Sequence, residues 1–221
     1  MHEGIQRYAD EIGIKQPVIS YNGAMVRDAF TGDTWLHEEI EPDQAAIVRN
    51  FCREHDLQLN YYRDGKVLTA EQTAWLDLYL ERTRAPFEVV PRFYEAMEGL
   101  ASTKLVIINT PEYTDSLKPH FDAIFQNSLY ITKTSNEYLE FMPPRANKGA
   151  ALKLVAERLG VPRGQTIAFG DSFNDIPMLT WAGAGVAVAN AKAEVRAVAT
   201  RQTLSNEEDG VAVALSEIYR L

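Results

Sequence analysis

The stretch that most constrains this chain is Thr166-Ile167-Ala168-Phe169-Gly170-Asp171-Ser172-Phe173-Asn174-Asp175. Its first four residues form a short apolar run, the pattern of a buried strand. Gly170 is then expected to let the backbone turn sharply. Asp171 falls at the carboxyl end of the strand, and Asn174 and Asp175 fall near the start of a helix. In an open α/β sheet, ligands bind at that edge. Two carboxylates crowded there repel each other unless a cation sits between them. Oxygen donors of this kind suit Mg²⁺, which keeps several waters and leans on substrate phosphate. The competing reading is an Asx-rich turn that caps a helix.

The sequence around this stretch alternates in a regular way. Asn147 can cap a helix whose face is Ala151, Leu152, Val155 and Leu159, with Gly160 ending it. After the Asp171 strand comes a helix through Met178 and Leu179, ended near Gly183. Gly185 to Ala189 reads as another buried strand and Ala193 to Ala199 as another helix. A last helix carries Val211, Val213, Leu215 and Ile218. From residue 144 onward the order is therefore helix, strand, helix, strand, helix, which is the grammar of a parallel α/β sheet.

The earlier part of the chain has a different texture. Residues 1–15 read as the tail of a helix, with Ile5, Tyr8, Ile12 and Ile14 on a rough stripe and Gly13 near its end. Strands are expected at 17–21 and 24–27, with Asn22-Gly23 as the turn between them, and a returning strand at 35–40. Pro42 opens a helix with an apolar face of Ile47, Val48, Phe51 and Cys52. A hairpin around Arg63-Asp64-Gly65 follows, then a helix through Trp75, Leu76, Tyr79 and Leu80 and weaker strand and helix signals over 86–99. Lys104 to Ile108 is a continuous apolar run, read as a central strand. Thr110-Pro111 starts a helix carrying Leu117, Phe121 and Ile124, in which Pro119 predicts a kink or an early end. Strands at 129–132 and 138–142 complete a second helix–strand–strand unit, so 41–143 reads as a compact insert, bounded by Pro143-Pro144.

Charge and composition narrow the chemistry. The 22 basic against 31 acidic residues give a net charge of −9, which argues against non-specific binding to nucleic acid or an anionic membrane. A small anionic ligand stays open, because a metal can reverse the local field. One cysteine, Cys52, excludes an intrachain disulfide and fits a reducing compartment. No run approaches membrane-spanning length, and Met1-His2-Glu3-Gly4 does not look like a signal peptide. The expected setting is the cytoplasm.

Several segments, taken together, carry a resemblance. Asn147-Lys148-Gly149-Ala150-Ala151-Leu152, the run from Ile167 to Leu179, and Gly183 to Ala191 closely resemble the Cof-type phosphatases, which belong to the haloacid dehalogenase (HAD) superfamily of phosphohydrolases, subfamily IIB. Ile19 to Ala24 and Asp209-Gly210-Val211-Ala212 are similar to the same family. The resemblance implies an α/β fold: a HAD-like, Rossmann-like core with a parallel sheet, built from 1–40 and 144–221, and an inserted α/β cap domain at 41–143. It implies a Mg²⁺-dependent hydrolase of small phosphorylated metabolites, such as sugar phosphates, working through an aspartyl-phosphate. Lys148 matches the lysine that contacts the nucleophile and the transferring phosphoryl group, where a point cation offsets charge on carboxylate and phosphate oxygens. Asp171 matches the metal ligand, and Asp175 the residue that holds the metal through its waters. Asn174 resembles the polar partner that orients Lys148 or phosphate. Asn22 and Asn190 are weaker matches that read first as turn or hinge residues, with active-site contact open to both and Asn22 counted among the phosphate-binding residues. Cap specificity is expected from the 61–66 hairpin and the 133–137 turn.

The family's nucleophile is the first aspartate of an Asp-x-Asp motif, and none of the twelve aspartates here forms such a pair. The sequence therefore looks like a Cof-type protein without its first strand–helix–strand segment, incomplete at the N-terminus and inactive or only weakly active as it stands. Loss of that strand exposes apolar edges, which a second copy in a homodimer could cover. The rival from another class is a non-catalytic metabolite- or anion-binding domain that keeps the fold. A phosphomutase of the same superfamily would need the same aspartates.

Overall fold

The computed structural model describes residues 2–220. It divides into two compact units, Met1–Ala146 and Asn147–Leu221.

The first unit opens with helix α1 (His2–Glu11), then strands β1 (Pro17–Ser20), β2 (Met25–Asp28) and β3 (Thr34–His37). Met1, where the expected helix begins, lies outside the described residues. Helix α1 does not bury the apolar stripe that the sequence suggests. Ile5, Tyr8, Ile12 and Ile14 are all exposed, and the last two lie beyond the helix, whereas Ala9 is buried. The three strands form an antiparallel sheet in chain order. The Asn22-Gly23 turn between β1 and β2 is a short 3-10 turn, Tyr21–Gly23, with Asn22 in the left-handed region. Asn tolerates that region better than most residues, which is why the dipeptide marks the hairpin.

Next come α2 (Pro42–Glu54), β4 (Gln58–Arg63), β5 (Lys66–Thr69), α3 (Ala74–Thr83), β6 (Phe87–Val89), α4 (Phe93–Ala96), β7 (Lys104–Ile108), α5 (Pro111–Phe125), β8 (Tyr130–Ser135) and β9 (Tyr138–Met142). The six strands form one mixed sheet in the order β6-β5-β4-β7-β9-β8. Strand β7 is central, antiparallel to both β4 and β9, as its unbroken apolar run requires. Alternation splits the sheet's side chains between two clusters. Leu59, Tyr61, Leu105, Ile107, Leu139 and Phe141 pack with α2, α4 and α5. Tyr62, Val106, Ile108, Tyr138 and Met142 pack with Leu76 and Tyr79 of α3. Helix α5 runs on through Pro119 to Phe125. Burial of Leu117, Phe121 and Phe125 outweighs the hydrogen bond that Pro119 removes, and Phe125 rather than Ile124 faces inward.

The second unit contains α6 (Lys148–Arg158), β10 (Ile167–Gly170), α7 (Ile176–Trp181), β11 (Ala184–Ala187), α8 (Ala193–Val198), β12 (Arg201–Gln202) and α9 (Gly210–Tyr219). Strands β10, β11 and β12 are parallel and adjacent in that order. The short β12 has no sequence signal, since two exposed polar residues offer no periodicity. The core is small and alanine-rich: Ala168, Leu179, Ala182, Ala187, Val188 and Val195.

Candidate functional site

The site is built at the carboxyl end of β10. Gly170 stays in the strand as its last residue and is not among the glycines with positive φ, so a sharp turn is not what the sequence needs it for. It is needed for space. A Cβ at Gly170 would lie 2.5 Å from the Asp175 Cβ and 3.0 Å from its Oδ2, inside contact distance. The missing side chain lets Asp175 fold back beneath the loop.

Asp175 is 3% exposed, and both its oxygens are engaged. Oδ1 accepts from the Lys148 ammonium at 2.5 Å. Oδ2 accepts from the backbone N–H groups of Asp171 and Ser172, each at 3.0 Å. Burial alone would push this carboxyl up, but the Lys148 hydrogen bond and charge and the two backbone bonds outweigh it and hold it below its ordinary value. Asp175 thus keeps its charge and ties the loop to the start of α6.

Lys148 reaches Asp175 because of what surrounds it. Asn147 caps α6, its Oδ1 accepting from Gly149 at 2.8 Å and Ala150 at 3.0 Å, which fixes where the first turn begins. A cation in a first turn meets the positive end of the helix dipole, and the Asp175 carboxylate offsets this. Gly149 permits the approach: a Cβ there would lie 2.5 Å from the Pro177 carbonyl oxygen. The Asn-Lys-Gly run is therefore a cap, a cation and a close packing point between α6 and α7.

Asp171 differs from Asp175. It is exposed, and Ser172 Oγ donates to its Oδ2 at 3.2 Å. Asn174 lies half-buried in the 3-10 turn Phe173–Asp175. The structure thus brings Lys148, Asp171, Asn174 and Asp175 together in one unit, with Lys148 paired to Asp175. Asn22 lies in the other unit, where its Nδ2 donates to Met142 Sδ at 3.2 Å. Asn190 serves its own loop, its Oδ1 accepting from the Asn206 N–H at 3.0 Å.

Among the described residues, no three or more His, Cys, Asp or Glu side chains gather as a cage for a metal. The arrangement offers one exposed carboxylate and a second whose oxygens are already bonded. Such a donor set suits a hard cation that keeps most of its own waters. Sequence reasoning missed one feature. The Lys192 ammonium lies 4.2 Å from the centre of the Phe173 ring, and the Lys192 N–H donates to the Asp171 carbonyl at 3.2 Å. The available signal was an aromatic residue set among polar ones in the loop.

Residues 1–215 match the family described as haloacid dehalogenase-like hydrolase. Phosphatase YwpJ of Bacillus subtilis is 27% identical over 96% of this chain and 82% of its own length. A haloacid dehalogenase-like hydrolase from Bacteroides thetaiotaomicron superposes with a TM-score of 0.89 at 23% identity, over 97% of this chain and 82% of that one. A sugar phosphatase of HAD subclass IIB superposes with a TM-score of 0.79 at 18% identity, over 97% and 80%. With the ordered motifs, the parallel β10–β12 sheet and these matches in hand, the chain is a member of the haloacid dehalogenase-like hydrolases and of their Cof-type phosphatases.

Proposed function

We propose that this chain carries the phosphate- and metal-holding side of a Mg²⁺-dependent phosphatase for small phosphorylated metabolites, such as sugar phosphates. The observation that carries the reading is the pairing of Lys148 with a buried, charged Asp175 directly behind the exposed Asp171. Asp171 would hold the metal directly. Asp175, with both oxygens taken, would act through water and keep the Lys148 ammonium aimed. Lys148 and Asn174 would bind phosphate oxygens. Mg²⁺ would supply charge neutralisation at the phosphoryl oxygens. In this reading 41–143 is the cap, and 1–40 with 144–221 is the core.

Phosphoryl transfer through an aspartyl-phosphate needs a nucleophilic carboxylate, and these 221 residues contain no Asp-x-Asp pair. The expectation is that they bind inorganic phosphate with Mg²⁺ but hydrolyse p-nitrophenyl phosphate little or not at all. Phosphorus NMR and a steady-state assay test both halves. Robust turnover that disappears in Asp171→Ala would refute the inactivity. Phosphate binding that survives both Lys148→Met and Mg²⁺ removal would refute the site and favour a binding domain that holds its anion elsewhere.

A further inference from the structure

Phe173 is a large apolar side chain left 49% exposed between Ser172 and Asn174, in the loop that carries Asp171 and Asp175. It belongs to none of the three apolar clusters of the structure. Cappings and turns of this kind use Asp, Asn, Ser and Gly, and a phenyl ring contributes nothing to them. What sets this ring apart is its place in the loop that carries Asp171 and Asp175, where its apolar face can receive the ring of a ligand. Phe173 is held: the Lys192 ammonium sits 4.2 Å from its centroid, and the Lys192 backbone is tied to the Asp171 carbonyl. The ring, the cation and the Asp171 carboxylate therefore belong to one short segment pair, 171–173 and 192. Lys192 makes no ion pair with a carboxylate among the described residues, so its charge also remains available to an anion.

We propose that Phe173 and Lys192 contact the organic part of the phosphate ester and select substrates that carry a ring beside the phosphate, pyranose or aromatic, over open-chain esters. This rests on the phosphatase reading. In that reading Lys148 holds the phosphate. Phe173 then offers its ring to the group attached to the phosphate, and Lys192 positions that ring while adding positive charge at the rim. A flat or chair-shaped ring covers the phenyl surface and removes it from water. An open chain covers little of it and gives up more rotational freedom on binding.

The test is calorimetric titration of the full chain, in saturating Mg²⁺, with inorganic phosphate, phenyl phosphate, glucose 6-phosphate and glycerol 3-phosphate. The expected result is that the two ring-bearing esters bind about ten-fold tighter than glycerol 3-phosphate. Phe173→Ala should collapse that ratio to near one, and Phe173→Tyr should keep it. Lys192→Met should lower the ratio about three-fold, with Lys192→Arg restoring it, because Arg also stacks on an aromatic face. Equal binding of all three esters by the unmodified chain, or a ratio unchanged in Phe173→Ala, overturns the assignment while leaving the phosphate site intact. Absence of inorganic phosphate binding to the unmodified chain overturns the phosphatase reading and this inference with it. Circular dichroism of each variant separates a misfolded loop from a lost contact, and the Phe173→Tyr and Lys192→Arg arms decide the question if Phe173→Ala does not fold.

Discussion

The two carboxylates of the Gly-Asp-Ser-Phe-Asn-Asp run look alike in sequence, and the structure gives them opposite duties. Asp175 is buried with three donors on its oxygens, whereas Asp171 is exposed. Asp175→Asn should therefore cost stability, about 2 kcal/mol, because it leaves the Lys148 ammonium without its counter-charge and weakens two backbone bonds. Asp171→Asn should stay within about 0.5 kcal/mol of the unmodified chain yet abolish the rise in unfolding midpoint that the proposed binding of Mg²⁺ to the native state would give. Urea unfolding with and without Mg²⁺ reads both; equal destabilisation by the two variants would contradict the division. The pH dependence follows from the same geometry. The Asp175 pKa is lowered in the folded chain, so its contribution is present above the ordinary carboxylate value of about 4. It is lost as pH falls from there through the depressed folded value. Unfolding midpoints of the unmodified chain and Asp175→Asn should differ at neutral pH and converge in acid. A gap that widens in acid would reverse the sign and reject the assignment.

At the scale of elements, what was legible in the sequence depended on whether the signal was local. The cap at Asn147, the Asn-Gly hairpin, the Thr110-Pro111 helix start and the apolar β7 run are local signals, and each element formed where it was expected. The misplaced features all depend on how the chain packs. Ile5 and Tyr8 are periodic, but the packing of α1 uses Ala9 instead. Pro119 predicts a kink or an early end, but α5 runs on to Phe125, with Leu117, Phe121 and Phe125 buried. Gly170 reads as a turn residue because the sequence cannot show the Asp175 side chain lying against it. The site divides the same way: its residue types were legible, but the pairing of Lys148 with Asp175 was not. That pairing depends on α6 and α7 meeting at Gly149. Gly149→Ala should force the first turns of those helices apart, costing about 2 kcal/mol as an overpacked contact does. Because Lys148 is the neighbouring residue, the same substitution should weaken inorganic phosphate binding about ten-fold, roughly 1.4 kcal/mol. Ala150→Gly alters the same turn without a clash and is the control. Loss of stability without loss of phosphate binding would show that the helix contact does not aim the lysine.

For the whole molecule, the distribution of apolar clusters decides how a local defect spreads. Two of the three clusters lie entirely within Met1–Ala146, and the third lies entirely within Asn147–Leu221. The first unit also contains a buried charge pair, Lys104 Nζ to Glu140 Oε1 at 2.7 Å, with the side chains 14% and 2% exposed. It lies on the β7–β9 pair at the middle of the six-stranded sheet, and Thr134 Oγ1 donates to the same carboxylate oxygen at 2.6 Å. Burial would pull the Lys104 ammonium down, but the Glu140 charge and hydrogen bond, together with neighbouring tyrosines, outweigh it and push it up. Breaking such a pair from one side strands the other charge, which costs about 3 kcal/mol, whereas replacing both partners with apolar groups is close to neutral. Glu140→Gln should therefore speed amide exchange across β4, β7 and β9 and leave the β10–β11 amides near their original protection. Asp175→Asn should do the reverse. Lys104→Met combined with Glu140→Leu should restore most of what Glu140→Gln removes. Hydrogen exchange resolved by residue measures all three. Uniform loss of protection throughout the chain in either single variant would mean that the two units open as one, and that a defect in the β7–β9 pair reaches Lys148 and Asp175 directly.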